Sequence, residues 1–274
     1  MKNPINRLSV FAALAAVVLI ATGCQSPKPA TKASCPMSAS ACCSNMPMTC
    51  PYLATNCPGV CPAMITAVPP TKAEQAAMTP QQALGALEAG NARFVAGHPL
   101  HRNMPADVKA TASAQYPFAV VLSCIDSRQP IEIVLDQGIG DIFSARVAGN
   151  VLNDDVLGSM EFACKVSGAK LIAVIGHTNC GAIKGAIDDV QLGNLTGLLA
   201  KIKPAMEEVP ADVGPRTSKN SEYVDEVAKE NVLLVIQQIR ERSPILREMI
   251  DKGEIGLVGG MYDLSTGKVQ FFDK

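Results

Sequence analysis

This chain has few aromatic residues and almost no net charge. Its 274 residues include no Trp, four Tyr and seven Phe, and the formal net charge at pH 7 is −1. Lys and Arg form no cluster along the sequence. A nucleic-acid surface needs a basic patch, usually with aromatic side chains for stacking, so the composition gives no electrostatic basis for nucleic-acid binding. We expect a small-molecule substrate.

The sequence also lacks an apolar run long enough to cross a bilayer comfortably. Lys2 and Arg7 precede the longest one, residues 8–20, which has the layout of a secretory signal peptide. It ends in Ala-Thr-Gly-Cys at 21–24, which resembles a bacterial lipobox, so residues 1–23 are predicted to be removed and Cys24 acylated. The alternative is an ordinary signal peptide with an incidental cysteine, because the lipobox usually prefers Leu at Ala21. The resemblance to a lipobox also implies a sorting rule, under which Gln25 rather than Asp after the cysteine favours a periplasmic protein anchored in the outer membrane.

Residues 24–75 are rich in Pro, Ala, Ser and Thr and have no sustained apolar period, so we expect a linker or stalk. Six of the ten cysteines lie there: Cys35, Cys42, Cys43, Cys50, Cys57 and Cys61. Outside the cytoplasm, such spacing is typical of a disulfide-stapled segment. Together with neighbouring methionines, these sulfurs could instead hold Cu(I) or zinc. Free thiols in a disordered segment are the third alternative.

Residues 76–274 alternate between helix-like and strand-like segments, which is typical of one α/β domain. Near-continuous apolar runs at 118–122 and 171–175 are typical of strands buried on both faces of a parallel sheet. Further strands are predicted at 142–148, 256–262 and 268–272, and helices at 80–94, 154–166, 181–189, 195–206, 222–240 and 244–252. The pattern predicts an α/β fold with a mainly parallel central β-sheet flanked by helices.

Candidate metal ligands follow two of the predicted strands. Cys124 comes directly after the first apolar run, and His177 and Cys180 come after the second. Ligand sites gather at the carboxyl ends of parallel strands, so the fold should bring the three side chains together. Two thiolates and one imidazole suit Zn²⁺, and three protein ligands leave one tetrahedral position for water or substrate. This is a catalytic rather than a structural arrangement.

Each of these residues also has an ordinary structural interpretation. A single cysteine at a strand end is usually a small buried hydrophobe, and this is our expectation for Cys164. Asp126 and Arg128, taken alone, would form a structural ion pair. His98 and His101 lie in a predicted loop and are expected at the surface, with a proton-shuttle role as the alternative. The joint occurrence of the Cys, Asp, Arg and His residues favours function.

The pairing of Cys-x-Asp-Ser-Arg at 124–128 with His-x-x-Cys at 177–180 resembles the β-class carbonic anhydrases. Asp-Gln-Gly at 136–138 and Arg-Val-Ala-Gly-Asn at 146–150 add to the resemblance, which runs from about residue 79 to residue 274. It implies zinc bound by Cys124, His177 and Cys180, conversion of carbon dioxide to bicarbonate, and a homodimer or larger homo-oligomer. It also implies that Asp126 either pairs with Arg128 or becomes the fourth metal ligand.

The same resemblance implies substrate contacts. Gln115 matches a glutamine that in plant-type members hydrogen-bonds substrate across the dimer interface. Phe143, Gly181 and Phe162 stand at positions around the family's small substrate pocket. Phe162 replaces a tyrosine of plant-type members and so removes a hydroxyl group. Two other functions stay open: hydrolysis of carbonyl sulfide or carbon disulfide on the same scaffold, and a metal-binding periplasmic lipoprotein whose working part is the cysteine-rich segment.

Overall fold

The computed structural model describes residues 66–272. The predicted signal peptide, Cys24 and the six clustered cysteines lie outside this range. The strands are β1 (Thr66–Ala67), β2 (His101–Arg102), β3 (Ala119–Ser123), β4 (Ile142–Arg146), β5 (Leu171–His177), β6 (Gly256–Tyr262) and β7 (Val269–Phe272). The first two form a small parallel pair of their own. The other five form the central sheet.

Helices fill most of the sequence between these strands. They are α1 (Lys72–Ala77), α2 (Pro80–Val95), α3 (Met104–Thr111), α4 (Ile131–Val134), α5 (Asp154–Glu161), α6 (Gly181–Ile187), α7 (Gly193–Leu199), α8 (Lys203–Glu208), α9 (Ser221–Arg242) and α10 (Pro244–Asp251). Local signals set where several of them begin. Thr79 caps α2 in a capping box with Gln82, and Ser243 caps α10, each directly before a proline.

The central sheet has the strand order β4-β3-β5-β6-β7, in which the first four strands are parallel and β7 is antiparallel. This confirms the predicted α/β fold with a mainly parallel sheet and a closing hairpin. Strands β3 and β5 are neighbours, and Ser123 pairs in register with Ile175. The segments that follow these two strands therefore emerge side by side at the carboxyl edge.

The sheet is covered on both faces, as its apolar strands require. Alternate residues of β3 and β5 point to opposite layers. One layer combines Val120, Leu122, Ile172 and Val174 with apolar residues of α5, α9 and α10. The other combines Ala119, Val121, Ala173 and Ile175 with apolar residues of α2 and α4. Helix α9 buries residues three and four positions apart, from Tyr223 to Ile239, which places one face of this long helix in the core.

Three predicted elements differ from those observed. The helix predicted at 195–206 is wrong as a single element, because Pro204 belongs to the first turn of α8 and cannot continue α7. The strand predicted at 142–148 ends at Arg146 and gives way to a 3₁₀ turn, Ala148–Asn150. The helix predicted at 154–166 becomes a π-helix over Phe162–Val166. His101 lies in β2 rather than in a loop, although its side chain is exposed as expected.

Within the part of the chain that is described, no helix is both long and apolar enough to cross a membrane.

Candidate metal centre

Cys124, His177 and Cys180 meet at the carboxyl edge of the sheet. The ligand atoms that they offer lie within 4.8 Å of one another, and all three residues are buried. Cys124 directly follows β3, His177 ends β5, and Cys180 is the residue before α6. The pairing of β3 with β5 therefore converts two distant sequence motifs into one cluster.

The imidazole of His177 is oriented for binding through one nitrogen. Its Nδ1 lies 2.9 Å from the Thr178 carbonyl oxygen, an acceptor, so Nδ1 carries the proton and donates. Its Nε2 is buried and has no hydrogen-bond partner among the described residues. A buried nitrogen lone pair without a partner is costly unless a ligand uses it. This tautomer is the one that a metal ligand needs.

The two sulfurs share a strongly polarised environment. The Cys180 and Cys124 sulfurs lie within 4.8 Å of each other, and the Cys180 thiol is the largest cause of a pKa of Cys124 well below its ordinary value. The same contact, together with burial, raises the pKa of Cys180 above its ordinary value. Two thiolates and one imidazole nitrogen form a donor set that zinc accepts, and the three residues fit that metal.

Asp126 faces the cluster but belongs to an ion pair with Arg128. Its Oδ1 accepts from the backbone N–H and from Nε of Arg128, each at 2.9 Å, and its Oδ2 accepts from Nη2 at 2.8 Å. These bonds hold the pKa of Asp126 well below its usual range. Its Oδ2 lies 3.9 Å from Nε2 of His177. The carboxylate therefore stands beside the cluster in the first of the two arrangements that the family resemblance implies.

Arg146 supports the loop between Cys124 and Asp126, a role that the sequence analysis did not assign. Its Nε donates to the Cys124 carbonyl at 3.0 Å, and its Nη2 donates to the Asp126 carbonyl at 2.7 Å. Arg146 ends β4 opposite Ser123 of β3, so register places it there. The available signal was the position of this arginine at the carboxyl end of a neighbouring strand.

The His-x-x-Cys motif at 177–180 is also held by a side chain from a distant element. The backbone N–H of Asn179 donates to Oδ1 of Asp225 at 2.7 Å. Asn179 lies between His177 and Cys180 and has a left-handed backbone, with φ of 55°. Asp225 belongs to α9, far along the chain, and no local sequence pattern could have linked it to this loop.

The four residues predicted to contact substrate have different surroundings in the structure. The rings of Phe143 and Phe162 meet edge to face, with centroids 6.2 Å apart and an interplanar angle of 69°. Gly181 is the first residue of α6, directly after Cys180. Gln115 is exposed before β3, and its side chain makes no hydrogen bond with the described residues. These four roles stay predictions.

The remaining candidates lie elsewhere. Cys164 is buried in the core beside α9, and burial raises its pKa to about 12, which confirms it as a core thiol. His98 and His101 are both exposed.

Comparison with known proteins agrees with this geometry. The sequence profile described as carbonic anhydrase matches residues 119–269. Carbonic anhydrase 2 of Mycobacterium tuberculosis is 37% identical over 195 residues, which cover 71% of this chain and 93% of the relative. Among solved structures, the β-carbonic anhydrase CafA of Aspergillus fumigatus is 27% identical with a TM-score of 0.55, covering 70% of this chain and 90% of that one.

Two tetrameric β-carbonic anhydrases from Sordaria macrospora share the fold. The match has 22% identity and a TM-score of 0.54, and it covers 71% of this chain and 96% of that chain. The parallel sheet and the Cys-His-Cys cluster at its carboxyl edge define a β-class enzyme. The chain belongs to the β-carbonic anhydrase family. Its activity is the reversible hydration of carbon dioxide to bicarbonate and a proton.

Proposed function

We propose that the chain hydrates carbon dioxide at a zinc ion held by Cys124, His177 and Cys180. The observation that carries this proposal is the convergence of three buried donor atoms within 4.8 Å, one of which, Nε2 of His177, has no other partner among the described residues. Bound zinc supplies a Lewis acid that lowers the pKa of water and stabilises negative charge on oxygen. The protein has to supply orientation and a suitable environment for the substrate.

Asp126 is the residue that can orient the reacting water. Arg128 keeps its carboxylate ionised at neutral pH and fixed in direction through bonds to both oxygens. A carboxylate held beside the cluster can accept a hydrogen bond from a water or hydroxide and so aim the oxygen lone pair. Arg146 keeps the backbone of this loop in place. The orienting group is therefore built from three residues, two in the loop after β3 and one at the end of β4.

The carbon dioxide molecule itself needs an apolar contact surface. The edge-to-face pair of Phe143 and Phe162 provides aromatic carbon, and Phe162 offers no hydroxyl group. We assign these two rings to the substrate pocket, together with the backbone at Gly181. We assign Gln115, which is exposed, to the substrate pocket of a neighbouring subunit, as the family resemblance implies.

Stopped-flow carbon dioxide hydration combined with zinc analysis tests the proposal. We expect about one zinc per chain, and we expect Cys180→Ala to lose both zinc and activity. Cys164→Ala is the matched control, since it removes a buried cysteine outside the cluster. Hydration that persists in zinc-free Cys180→Ala would overturn the assignment. Assays with carbonyl sulfide and carbon disulfide on the same sample separate the alternative hydrolase activity.

We also infer that the protein is a homo-oligomer. Ile125, between Cys124 and Asp126, is 59% exposed, and Phe162 is 51% exposed. A second copy of the chain would remove these apolar side chains from water. Light scattering on the purified protein measures the mass, and a monomer at micromolar concentration contradicts the inference.

For the N-terminus we propose a lipid anchor at Cys24 and a periplasmic location at the outer membrane. The support is the ordered signal at residues 1–24: basic residues, a short apolar run and the Ala-Thr-Gly-Cys ending. The cysteine-rich segment after it is proposed as a stalk between this anchor and the catalytic domain.

A further inference from the structure

A backbone amide contacts one of the proposed zinc ligands. The N–H of Gly149 donates to the Sγ of Cys124 at 3.3 Å, and this contact is buried. Gly149 lies in the 3₁₀ turn after β4, with φ of 64°. A Cβ at this position would lie 2.9 Å from Cδ1 of Ile202 and 3.2 Å from Cβ of Ala182. Both the left-handed backbone and the crowding favour glycine here.

Asn231 holds this glycine from the other side. It belongs to α9 and is 1% exposed, and its Nδ2 donates to the Gly149 carbonyl at 2.8 Å. Its Oδ1 is buried and has no hydrogen-bond partner among the described residues. Asparagine is a poor helix former, and a buried amide whose oxygen has no partner is costly. What offsets this cost is the bond to Gly149.

We propose that Asn231 is a positioning residue of the metal centre: it holds the Gly149 carbonyl so that the Gly149 N–H points at the Cys124 sulfur. An N–H donor reduces the electron density that a thiolate gives to a bound metal, and it fixes the sulfur in place. Asn231 thereby acts on Cys124 through Gly149 without touching the cluster. The proposal rests on the proposed function, because Cys124 must be a metal ligand.

The fold contains a matched control for the loss of a buried asparagine. Asn91 of α2 is 4% exposed and is also bound to backbone groups. Its Nδ2 donates to the carbonyls of Val134 and Gly267, and its Oδ1 accepts from the N–H of Val269. None of these partners is a proposed zinc ligand. Asn91→Leu should therefore lower stability without affecting the metal.

The experiment compares Asn231→Leu with Asn91→Leu and with the unmutated protein. Zinc affinity is measured by competition with a chelator, and the sulfur-to-metal charge-transfer band is recorded after cobalt substitution. We expect Asn231→Leu to bind zinc about 10-fold or more weakly and to shift the band, the scale found for lost outer hydrogen bonds at metal sites. Asn91→Leu should match the unmutated protein in both. An unchanged affinity and band in Asn231→Leu overturn the proposal.

A second variant and an NMR measurement also test the role of Asn231. If Asn231→Leu does not fold, Asn231→Ser replaces it, since serine is too short to reach the Gly149 carbonyl and the same results are expected. In the cadmium-113 form of the unmutated protein, a scalar coupling between the metal and the Gly149 amide proton is expected, and its absence overturns the proposal. If the unmutated protein binds no metal through Cys124, the proposed function itself fails, which is a different result.

Discussion

Arg128 donates three hydrogen bonds to the carboxylate of Asp126, and the two residues form an ion pair beside the Cys-His-Cys cluster. Arg128→Ala should release the carboxylate toward the cluster while zinc stays bound. Hydration is then expected to fall on the order of a hundredfold or more, the scale of losing one positioning or acid-base group. Asp126→Ala should give a similar loss, measured by stopped flow with zinc analysis.

The two losses should not add in the double variant, because the residues act as a unit. Arg242→Ala is the control: Arg242 also pairs with an aspartate, Asp154, at 2.6 Å, but at an exposed position in α9. It should leave hydration unchanged. Full activity in either zinc-loaded single variant at the site would return Asp126 and Arg128 to a structural ion pair.

Asp136 is the centre of a buried charge network near α2. It is 4% exposed, and it accepts from Arg93 at 2.5 Å and from Arg102 at 2.6 Å. Burial raises its pKa, but the bonds from Arg93, Arg102 and the Leu100 N–H outweigh this effect and lower it overall. Asp136→Asn should reduce the unfolding free energy by about 2 kcal/mol at pH 7, because Arg93 loses its carboxylate partner and the buried Arg102 keeps only the longer pair with Asp141 at 3.8 Å.

The pH dependence of this difference has a definite sign. A carboxyl whose pKa is depressed in the folded state contributes stability above its unfolded pKa of about 4, and loses it as the pH falls through the folded value. The gap between Asp136→Asn and the unmutated protein should therefore narrow below about pH 4 in urea titrations. Asp251→Asn, at the exposed pair with Arg240, should stay within about 0.5 kcal/mol. A gap that is the same at pH 7 and pH 3 contradicts this account.

The amino-terminal boundary of the catalytic domain can be located by truncation. Gln75 of α1 is buried, and its Nε2 donates to the carbonyls of Pro117 and Ser167 at 2.7 and 2.8 Å. A boundary at residue 76, predicted from composition, falls inside this helix. A chain of residues 66–274 should keep hydration within about threefold, under 1 kcal/mol in barrier.

In a chain of residues 79–274, the free energy of unfolding should be lower by about 2 kcal/mol, because the carbonyls of Pro117 and Ser167 lose their donor, Gln75. Gln75→Ala in the longer chain should reproduce much of this loss. Equal thermal stability of the two truncated chains would show that α1 is dispensable. A large loss of activity in residues 66–274 with zinc retained would show that the preceding segment shapes the active site.

Cys24 is expected to carry lipid. Changing it to Ala should abolish incorporation of labelled fatty acid and release the protein from the membrane fraction, because the thiol is the acylation site. Mass spectrometry of the mature N-terminus provides the second measurement. A mature N-terminus at another residue, without labelling, would contradict the anchor.

The Cys-His-Cys cluster could be predicted because its residues lie at or just after the ends of regular strands. Apolar runs before Cys124 and His177 indicate parallel strands, and the carboxyl ends of neighbouring parallel strands lie at one edge. The contacts of Arg146, Asp225 and Asn231 could not be predicted, because they cross between elements far apart in sequence. They depend on exact register and on unusual backbone conformations, such as the left-handed one at Asn179.

Helix boundaries show the same limit at a smaller scale. The apolar period continues through residues 154–166, yet the backbone changes to a π-helix at Phe162. One additional residue per turn alters little in the sequence pattern but rotates the side chains that follow. The break between α7 and α8 differs from this, because a single residue, Pro204, is a clear local signal against a continuous helix.

The placement of the ligands on β3 and β5 has a consequence for the order of assembly. Cys124 and His177 are separated by roughly fifty residues of chain, and they approach each other only when the two strands pair in parallel. Parallel pairing across such a separation is a slow event in folding. A metal can be held by the complete ligand set only after this pairing, so uptake of zinc would report the pairing of β3 with β5. A bound zinc ion would tie the two strand ends together and so oppose their separation.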